Sequence, residues 1–552
     1  MQCLREQDAS AIAYRYFWAG LFFGPVLFAL LWGISSLPLA FLGDDLSLVQ
    51  AGRHMMEDDF WRPFTGPWVW PDIAPHWPHY NYFRPLVILS FGLDYLLWGY
   101  NPAGYHLANG VIHALCTALA GGLAFSLFGK RHYPVALFAA FLFAMHPIHE
   151  FNVFWLSGRT DSLCTLFYLA SALCFLRLLR ARRVAGWFAA VLALGSLALM
   201  SKEMAYTLPF ACFLLYWVMI RPVRPYHIWV WQGAGYLLPV FGLAAVFLAW
   251  RFAVFGWTGA MHGDGLGFEP GRALWMMTRH LVLPFHVSFK ALARQHTVLF
   301  VGSALLVAAA FLPLLCQIRR RTILLPLGWI AITLLPVFNF FMPWYMYLPS
   351  VGFALGLGWV LGAAGRGRRL SLLGFALFLL VMGAYAVQMQ SRLRAWGVAS
   401  QTAGRVVSQY LDRMGGPGTY RPVFLCVPGI VDGVPVYTHN LPARLRMETG
   451  DPALSPILCS YAAYPRAIED HGVVFDYLGR TAFVVWPASP KAFFVFPDYP
   501  PGTKPPWGRV EVAERNARGL PNRLNLWLET AGVEDWPIYL YDRGELRRIT
   551  MP

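Results

Sequence analysis

The feature that most constrains this chain is the recurrence, between roughly residues 17 and 388, of apolar stretches long enough to cross a bilayer. Inside lipid every backbone N–H and C=O must find its partner within the protein, so such stretches fold as helices. They fall at roughly 17–41, 104–128, 134–150, 162–179, 184–200, 205–220, 228–250, 297–316, 323–341, 346–363 and 370–388, about eleven spans in all. With 57% hydrophobic and 13% charged residues over 552 positions, a soluble enzyme is excluded and a polytopic α-helical membrane protein is expected.

The formal charge of +15 would suit a nucleic-acid binder if the basic residues lay on one face. Instead Lys130-Arg131, Arg177 to Arg183, Arg221 and Arg224, Arg319 to Arg321, and Arg366 to Arg369 occupy alternate connections between spans. The positive-inside bias places these, with Arg5 and Arg15, in the cytoplasm, as in a bacterial inner membrane, and no nucleic-acid partner is expected. The connections near 42–103, 146–161, 201–204, 251–296 and 340–346 then lie outside, and an odd number of spans leaves the tail outside too. The first span is longer than a signal h-region and lacks a small-residue cleavage site, so it reads as a retained helix. Of eight cysteines, Cys426 and Cys459 fall in the oxidising compartment, where a disulfide between them is one open arrangement.

Two external stretches are too polar to span and carry aromatics: residues 84–98, and a part of 251–296 with Trp275, Arg279, His280, His286 and Lys290. Both suit helices lying in the interface plane, roofing one cavity. A polar helix begins at Ser391, and from about residue 420 short β-rich runs alternate with Pro and Gly. The expected division is a transmembrane domain over 1–390 and an extracytoplasmic α+β domain over 391–552, the latter without a catalytic motif.

Chemistry-bearing residues collect on the external side. Asp44 and Asp45 follow the first span; a carboxylate at a cavity mouth can take a proton from an attacking hydroxyl, and a second can tune its pKa or hold a divalent ion. Carboxylates that merely end a helix in water have the same sequence appearance. Arg84 starts an interfacial segment, where a guanidinium joins the free backbone amides as an anion site, or where it simply snorkels. His106, Asn109 and His113, spaced i, i+3, i+7, share one helix face and must meet protein or water, lining a cavity. The run from His146 to Asp161 packs His149, Glu150, Arg159 and Asp161 between two spans. Its His-x-x-His-Glu order is not the His-Glu-x-x-His of a metalloprotease. Lys202-Glu203 interrupts a short turn, where the lysine can neutralise a phosphate or pair with its neighbour.

Together, Asp44-Asp45, Arg84-Pro85-Leu86, Asn101 to Asn109, His146 to Asp161, Ser201-Lys202-Glu203 and Tyr345 to Phe353 resemble the bacterial relatives of the transmembrane and tetratricopeptide-repeat O-mannosyltransferases. These belong to the GT-C class of polyprenyl-phosphate-sugar-dependent glycosyltransferases. Two departures stand out: Pro343-Trp344 occupy the place of the family's Glu-Arg pair, and the β-rich tail replaces the repeats. The resemblance implies a polyprenyl-phosphate-linked sugar at the lipid interface and an acceptor hydroxyl, on a protein, glycan or lipid, that attacks the anomeric carbon with inversion. On this reading Asp44 is the general base, and Asp45 assists it or binds a divalent cation, Mg or Mn; no other cofactor is implied. Arg84 and Lys202 hold the departing phosphate. His106, Asn109, His149, Glu150, Arg159, Asp161 and Glu203 shape the sugar and acceptor pocket. A transporter or flippase of a lipid-linked saccharide is the main rival, but the chain lacks the repeated halves such proteins tend to have. A membrane scaffold would leave the clustered charges without a purpose.

Overall fold

Proline marks where helices start, because at the first helical positions it lacks only an N–H that has no partner there. In the computed structural model, residues 15, 18–70, 82–220, 222, 225–256, 270–282, 309–315, 320–337, 342–362 and 367–413 are described, as are, in the C-terminal part, 422–437, 441–451, 454, 456–458, 461–464, 473–478, 482–487, 493–495, 508–515, 521–528, 537–542 and 544–549. The principal helices are α1 (Trp18–Ser35), α2 (Asp45–Glu57), α3 (Pro85–Trp98), α4 (Pro102–Phe128), α5 (Tyr133–Met145), α6 (Arg159–Leu178), α7 (Ala185–Leu199), α8 (Leu208–Met219), α9 (Tyr226–Phe255), α10 (Pro270–Val282), α11 (Arg320–Leu334), α12 (Tyr347–Gly362) and α13 (Arg368–Arg413). Proline opens α3, α4, α5 and α8, and Asn101 caps α4 by accepting from the Ala103 amide at 3.1 Å.

Six helices among the described residues are long and apolar enough to cross a membrane: α1, α4, Leu156–Leu178, α9, Pro343–Gly362 and α13. Lys130–Met145 and Pro147–Val153, bent by 45°, make a seventh if they form one broken span. The chain is therefore a multi-pass membrane protein, with fewer full-length spans described than the eleven stretches expected. The difference is one of helix length. Helices α7 and α8 stand within the expected 184–200 and 205–220 and α11 overlaps 323–341, but they have only 15, 12 and 15 residues, roughly 18–23 Å. Most of the expected 297–316 lies outside the described residues. The two interfacial expectations meet α3 and α10, of 14 and 13 residues.

Small residues set how closely these helices approach. A Cβ on Gly33 would fall 2.4 Å from the Gly110 Cα, so α1 and α4 touch backbone to backbone, and α12 meets α5 in the same way at Gly358 against Ala139. Leu123, Leu142, Phe175, Leu215, Trp329 and Val351 fill the space between. The basic connections at 130–132 and 177–183 share one end: Arg180 donates to the Ser126 carbonyl at 2.9 Å, and His132 lies 5.0 Å from Trp359. The 27 residues of α4, about 40 Å of helix, separate that end from the one that carries Arg84 and Lys202, whose segments are joined by a bond from the Leu86 amide to the Met200 carbonyl at 3.2 Å.

Helix α13 runs unbroken through residue 390, so the expected domain boundary falls inside it. Its second half, through Trp396, Ala403, Val407 and Tyr410, packs on β1 (Val423–Leu425) and β2 (Val427–Val431) in one buried cluster. With β3 (Val434–Pro435), β4 (Ile457–Leu458), β5 (Tyr461–Tyr464), β6 (Val473–Tyr477), β7 (Ala482–Pro487), β8 (Phe493–Val495), β9 (Gly508–Arg515), β10 (Pro521–Leu528), β11 (Ile538–Asp542) and β12 (Glu545–Arg548), these form three four-stranded sheets ordered β12-β11-β1-β4, β3-β2-β5-β8 and β6-β7-β10-β9. The first two are mixed and the third is antiparallel. Helix α14 (Leu441–Thr449) follows the β2–β3 hairpin, so the region is α+β as expected. Asp432 and Gly433 turn that hairpin with φ of 50° and 76°, the left-handed pair that a two-residue hairpin turn demands. The pairing of Cys426 with Cys459 turns on Cys459, which lies outside the described residues.

Candidate functional site

The site begins at a sharp turn. Gly43 has φ +62°, and a side chain there would press on Trp155 and Pro435; this turn delivers Asp44 and Asp45 to the start of α2. The two carboxylates face different surroundings. Asp45 is buried and fully engaged: Oδ2 accepts from the Leu42 amide at 2.9 Å, and Oδ1 accepts from the Ser157 amide at 2.9 Å and hydroxyl at 2.7 Å. Asp44 is partly exposed, and its shielded Oδ1 has no hydrogen-bond partner among the described residues. A carboxylate oxygen held dry and unpaired is the group free to take a proton.

Burial lifts the Asp44 carboxyl from its ordinary 3.8 to about 6, against the opposing pull of Ser157 and the Arg84 charge. Burial, with the neighbouring Asp44 charge, lifts Asp45 to about 8. A divalent ion does not fit this donor set. Both Asp45 oxygens are occupied, and among the described residues no three His, Cys, Asp or Glu side chains group as a metal site.

Beside this turn stand two buried cations, each with an acidic partner. Arg84, at the N-terminal end of α3, donates to Glu203 Oε2 from Nε at 3.2 Å and Nη2 at 2.8 Å. Its guanidinium lies 4.0 Å from the Tyr82 ring centroid and 4.9 Å from that of Trp68. Lys202 donates to Asp161 Oδ2 at 2.6 Å and sits 4.4 Å from the Tyr345 ring. Burial works against the Arg84 charge, yet Glu203 holds its pKa above the ordinary value. Burial and the Arg84 charge carry Lys202 below the ordinary lysine value, against the opposing Asp161 carboxylate. Arg84 acts electrostatically on Asp44, Asp161 and Lys202, so the four belong to one field. Glu203 Oε1 is buried without a hydrogen-bond partner among the described residues. Two cations with a spare carboxylate oxygen can exchange these acidic partners for a phosphate, in which more than one oxygen carries charge.

The other expected pocket residues lie in the framework around this cluster. Arg159 donates to Asn109 Oδ1 at 2.7 Å and to the Tyr105 carbonyl at 3.0 Å and pairs with Asp94, while Asn109 Nδ2 donates to the Trp155 and Leu156 carbonyls at 3.3 Å. These contacts lock the His146–Asp161 run onto α3 and α4. His149 meets the Ser350 hydroxyl at 2.8 Å and packs edge-on to His113 and tilted against Tyr347. His106 is wholly buried. Glu150 accepts from Arg392 Nε at 2.5 Å and Trp396 Nε1 at 3.1 Å. The structure thus brings Asp44, Arg84, Lys202, Asp161 and Glu203 together, while the partners of Asn109, His149, Glu150 and Arg159 lie outside that cluster. Ser157, Tyr82, Trp68 and Tyr345 join the site without having been singled out. Ser157 and Tyr345 lie in motif stretches and the other two in an aromatic-rich loop, but no spacing rule marks them.

Residues 106–250 match the family described as Dolichyl-phosphate-mannose-protein mannosyltransferase. Protein O-mannosyl-transferase TMTC2 of Mus musculus is 29% identical over 178 residues, 32% of this chain and 21% of the relative. The corresponding protein of Xenopus laevis is 34% identical over 144 residues, 26% and 17%; Protein O-mannosyl-transferase TMTC4 of Homo sapiens is 30% identical over 214 residues, 35% and 28%. The chain covers under a third of the length of each of these relatives. Among solved structures, apo ArnT from Cupriavidus metallidurans is 16% identical, with a TM-score of 0.47 covering 76% of this chain and 84% of that one. The oligosaccharyltransferase of Archaeoglobus fulgidus is 11% identical, with a TM-score of 0.41 covering 80% and 62%. The resemblance carried by the motifs is met by these sequence matches: the chain is similar to the protein O-mannosyl-transferases, and its residues 106–250 to the mannosyltransferase family.

Proposed function

We propose that the chain is a membrane glycosyltransferase that moves a hexosyl or pentosyl unit, mannosyl being the first to test, from a polyprenyl-phosphate carrier to a hydroxyl on a protein, glycan or lipid acceptor. The observation that carries this reading is the shielded Asp44 oxygen, without a hydrogen-bond partner among the described residues, in the field of Arg84, which also acts on Lys202. The acceptor oxygen attacks the anomeric carbon while the bond from that carbon to the phosphate oxygen breaks. Asp44 takes the hydroxyl proton, and the carrier phosphate leaves with the bonding electrons, one displacement and hence inversion. Arg84 and Lys202 stabilise the charge that gathers on the phosphate, and Asp45, held by Leu42 and Ser157, fixes the turn. Arg84 and Lys202 lie at the end of the bundle opposite the basic connections, which under the positive-inside rule is the extracytoplasmic side of a bacterial inner membrane, with the N-terminus cytoplasmic.

The test is transfer of radiolabelled sugar from polyprenyl-phosphate donors in membranes with matched amounts of wild type or Asp44→Asn. Loss of the base should lower transfer by about 10²–10⁴-fold. Movement of carrier lipid between leaflets with no transfer to any acceptor would replace this reading with a flippase.

A further inference from the structure

The β-rich domain carries no catalytic motif, yet it reaches the residue that precedes Asp44. Resting on the function just proposed, we infer that the hairpin β2–β3 is a positioning element of the active site and that Arg392 is the residue that fixes it there. The Gly43 amide donates to the Val436 carbonyl at 2.9 Å, so the backbone one residue before the proposed base hangs from the strand end of the hairpin. Val436 is itself fixed: its amide donates to the Gly429 carbonyl at 2.7 Å, and the next residue, Tyr437, donates from its hydroxyl to the Ala403 carbonyl of α13 at 2.5 Å.

The other end of the hairpin is tied into the membrane domain. Arg392 Nη1 donates to the Asp432 carbonyl at 3.0 Å, in the turn, while its Nε donates to Glu150. Trp396 from the next turn of α13 shares the same Glu150 oxygen. Arg392 and Glu150 are 2% and 7% exposed, so this knot is shielded from competing water. Glu150 belongs to the same His146–Asp161 run as Ser157, which holds Asp45, and Ser400 of α13 accepts from the Ala40 amide at 2.8 Å. The turn bearing Asp44 is thus gripped from the membrane side by Ser157 and from the domain side by Val436 and Ser400. Arg392 spans hairpin and membrane run with two donors in a fixed fork, which a lysine cannot reproduce.

The full-length Arg392→Lys and Glu150→Gln variants, the second keeping an acceptor for Trp396, are assayed for kcat, donor KM, pH profile and thermal unfolding, with Arg547→Ala on the exposed edge strand β12 as the control. A misplacement near 1 Å at the base lowers turnover by up to about 10²-fold. Folded Arg392→Lys should therefore lose about 10–100-fold in kcat with donor KM unchanged and with a shifted acid limb in its pH profile; Glu150→Gln should move the same way. Wild-type kcat and pH profile per folded molecule in both variants would overturn the positioning role. A wild-type protein that transfers no sugar would instead overturn the proposed function.

Discussion

Asp44 and Asp45 are adjacent in sequence and opposite in circumstance, and pH separates them. Asp44 must be ionised to accept a proton, so initial rates of sugar transfer should fall about tenfold per unit as pH drops below about 6. At alkaline pH a second fall should begin below the ordinary lysine range, as Lys202 loses its charge. Stability should run the other way. Both carboxyls sit above their unfolded value of 3.8, so the folded state binds more protons between about pH 4 and 8. The melting temperature of detergent-solubilised protein should rise as pH falls through that window, and Asp45→Asn should flatten the rise. Ser157→Ala, which deletes one of the three bonds to Asp45, should cost roughly 1 kcal/mol in thermal unfolding. At this scale Asp44, Arg84 and Lys202 were legible in the sequence because charge beside an apolar span is rare. Partners were not: nothing in the spacing of Asn109 and Arg159 says that each satisfies the other across two helices.

The approach of α1 to α4 rests on two hydrogens where other residues carry a side chain. Gly110→Leu would drive a branched chain into the Gly33 backbone, forcing the helices apart at a cost of about 1–3 kcal/mol. It should lower the melting temperature and the yield of monodisperse protein, whereas the same substitution at Gly186, whose Cβ position meets nothing within 4 Å, should be tolerated. Mixed polarity marked α3 and α10 in the sequence, and runs of apolar residues marked the spans. Helix length was less legible. Apolar text continues past the ends of α7 and α8 into Met200 and Ile220, because residues that suit lipid equally suit a buried turn, and the turn is decided by tertiary contacts such as the Met200–Leu86 bond.

For the molecule as a whole, the proposed orientation predicts that a cysteine at Arg547 reacts with a membrane-impermeant thiol reagent added outside intact cells, and one at Arg182 reacts only after the membrane is opened. The reverse pattern would invert the topology. A β-rich C-terminal region was legible from the change of composition, but its union with the helices was not: the Gly43–Val436 contact joins residues 393 positions apart, and no local pattern records so distant a contact. Helix α13 carries the consequence. Its 46 residues extend about 69 Å, roughly twice the thickness of a bilayer's hydrocarbon core, and it runs into the domain without a hinge. The domain is therefore mounted as on a mast, and the height at which chemistry occurs above the lipid is a constant of the protein. Substrates must come to that height, since the mast is one continuous helix from Arg368 to Arg413.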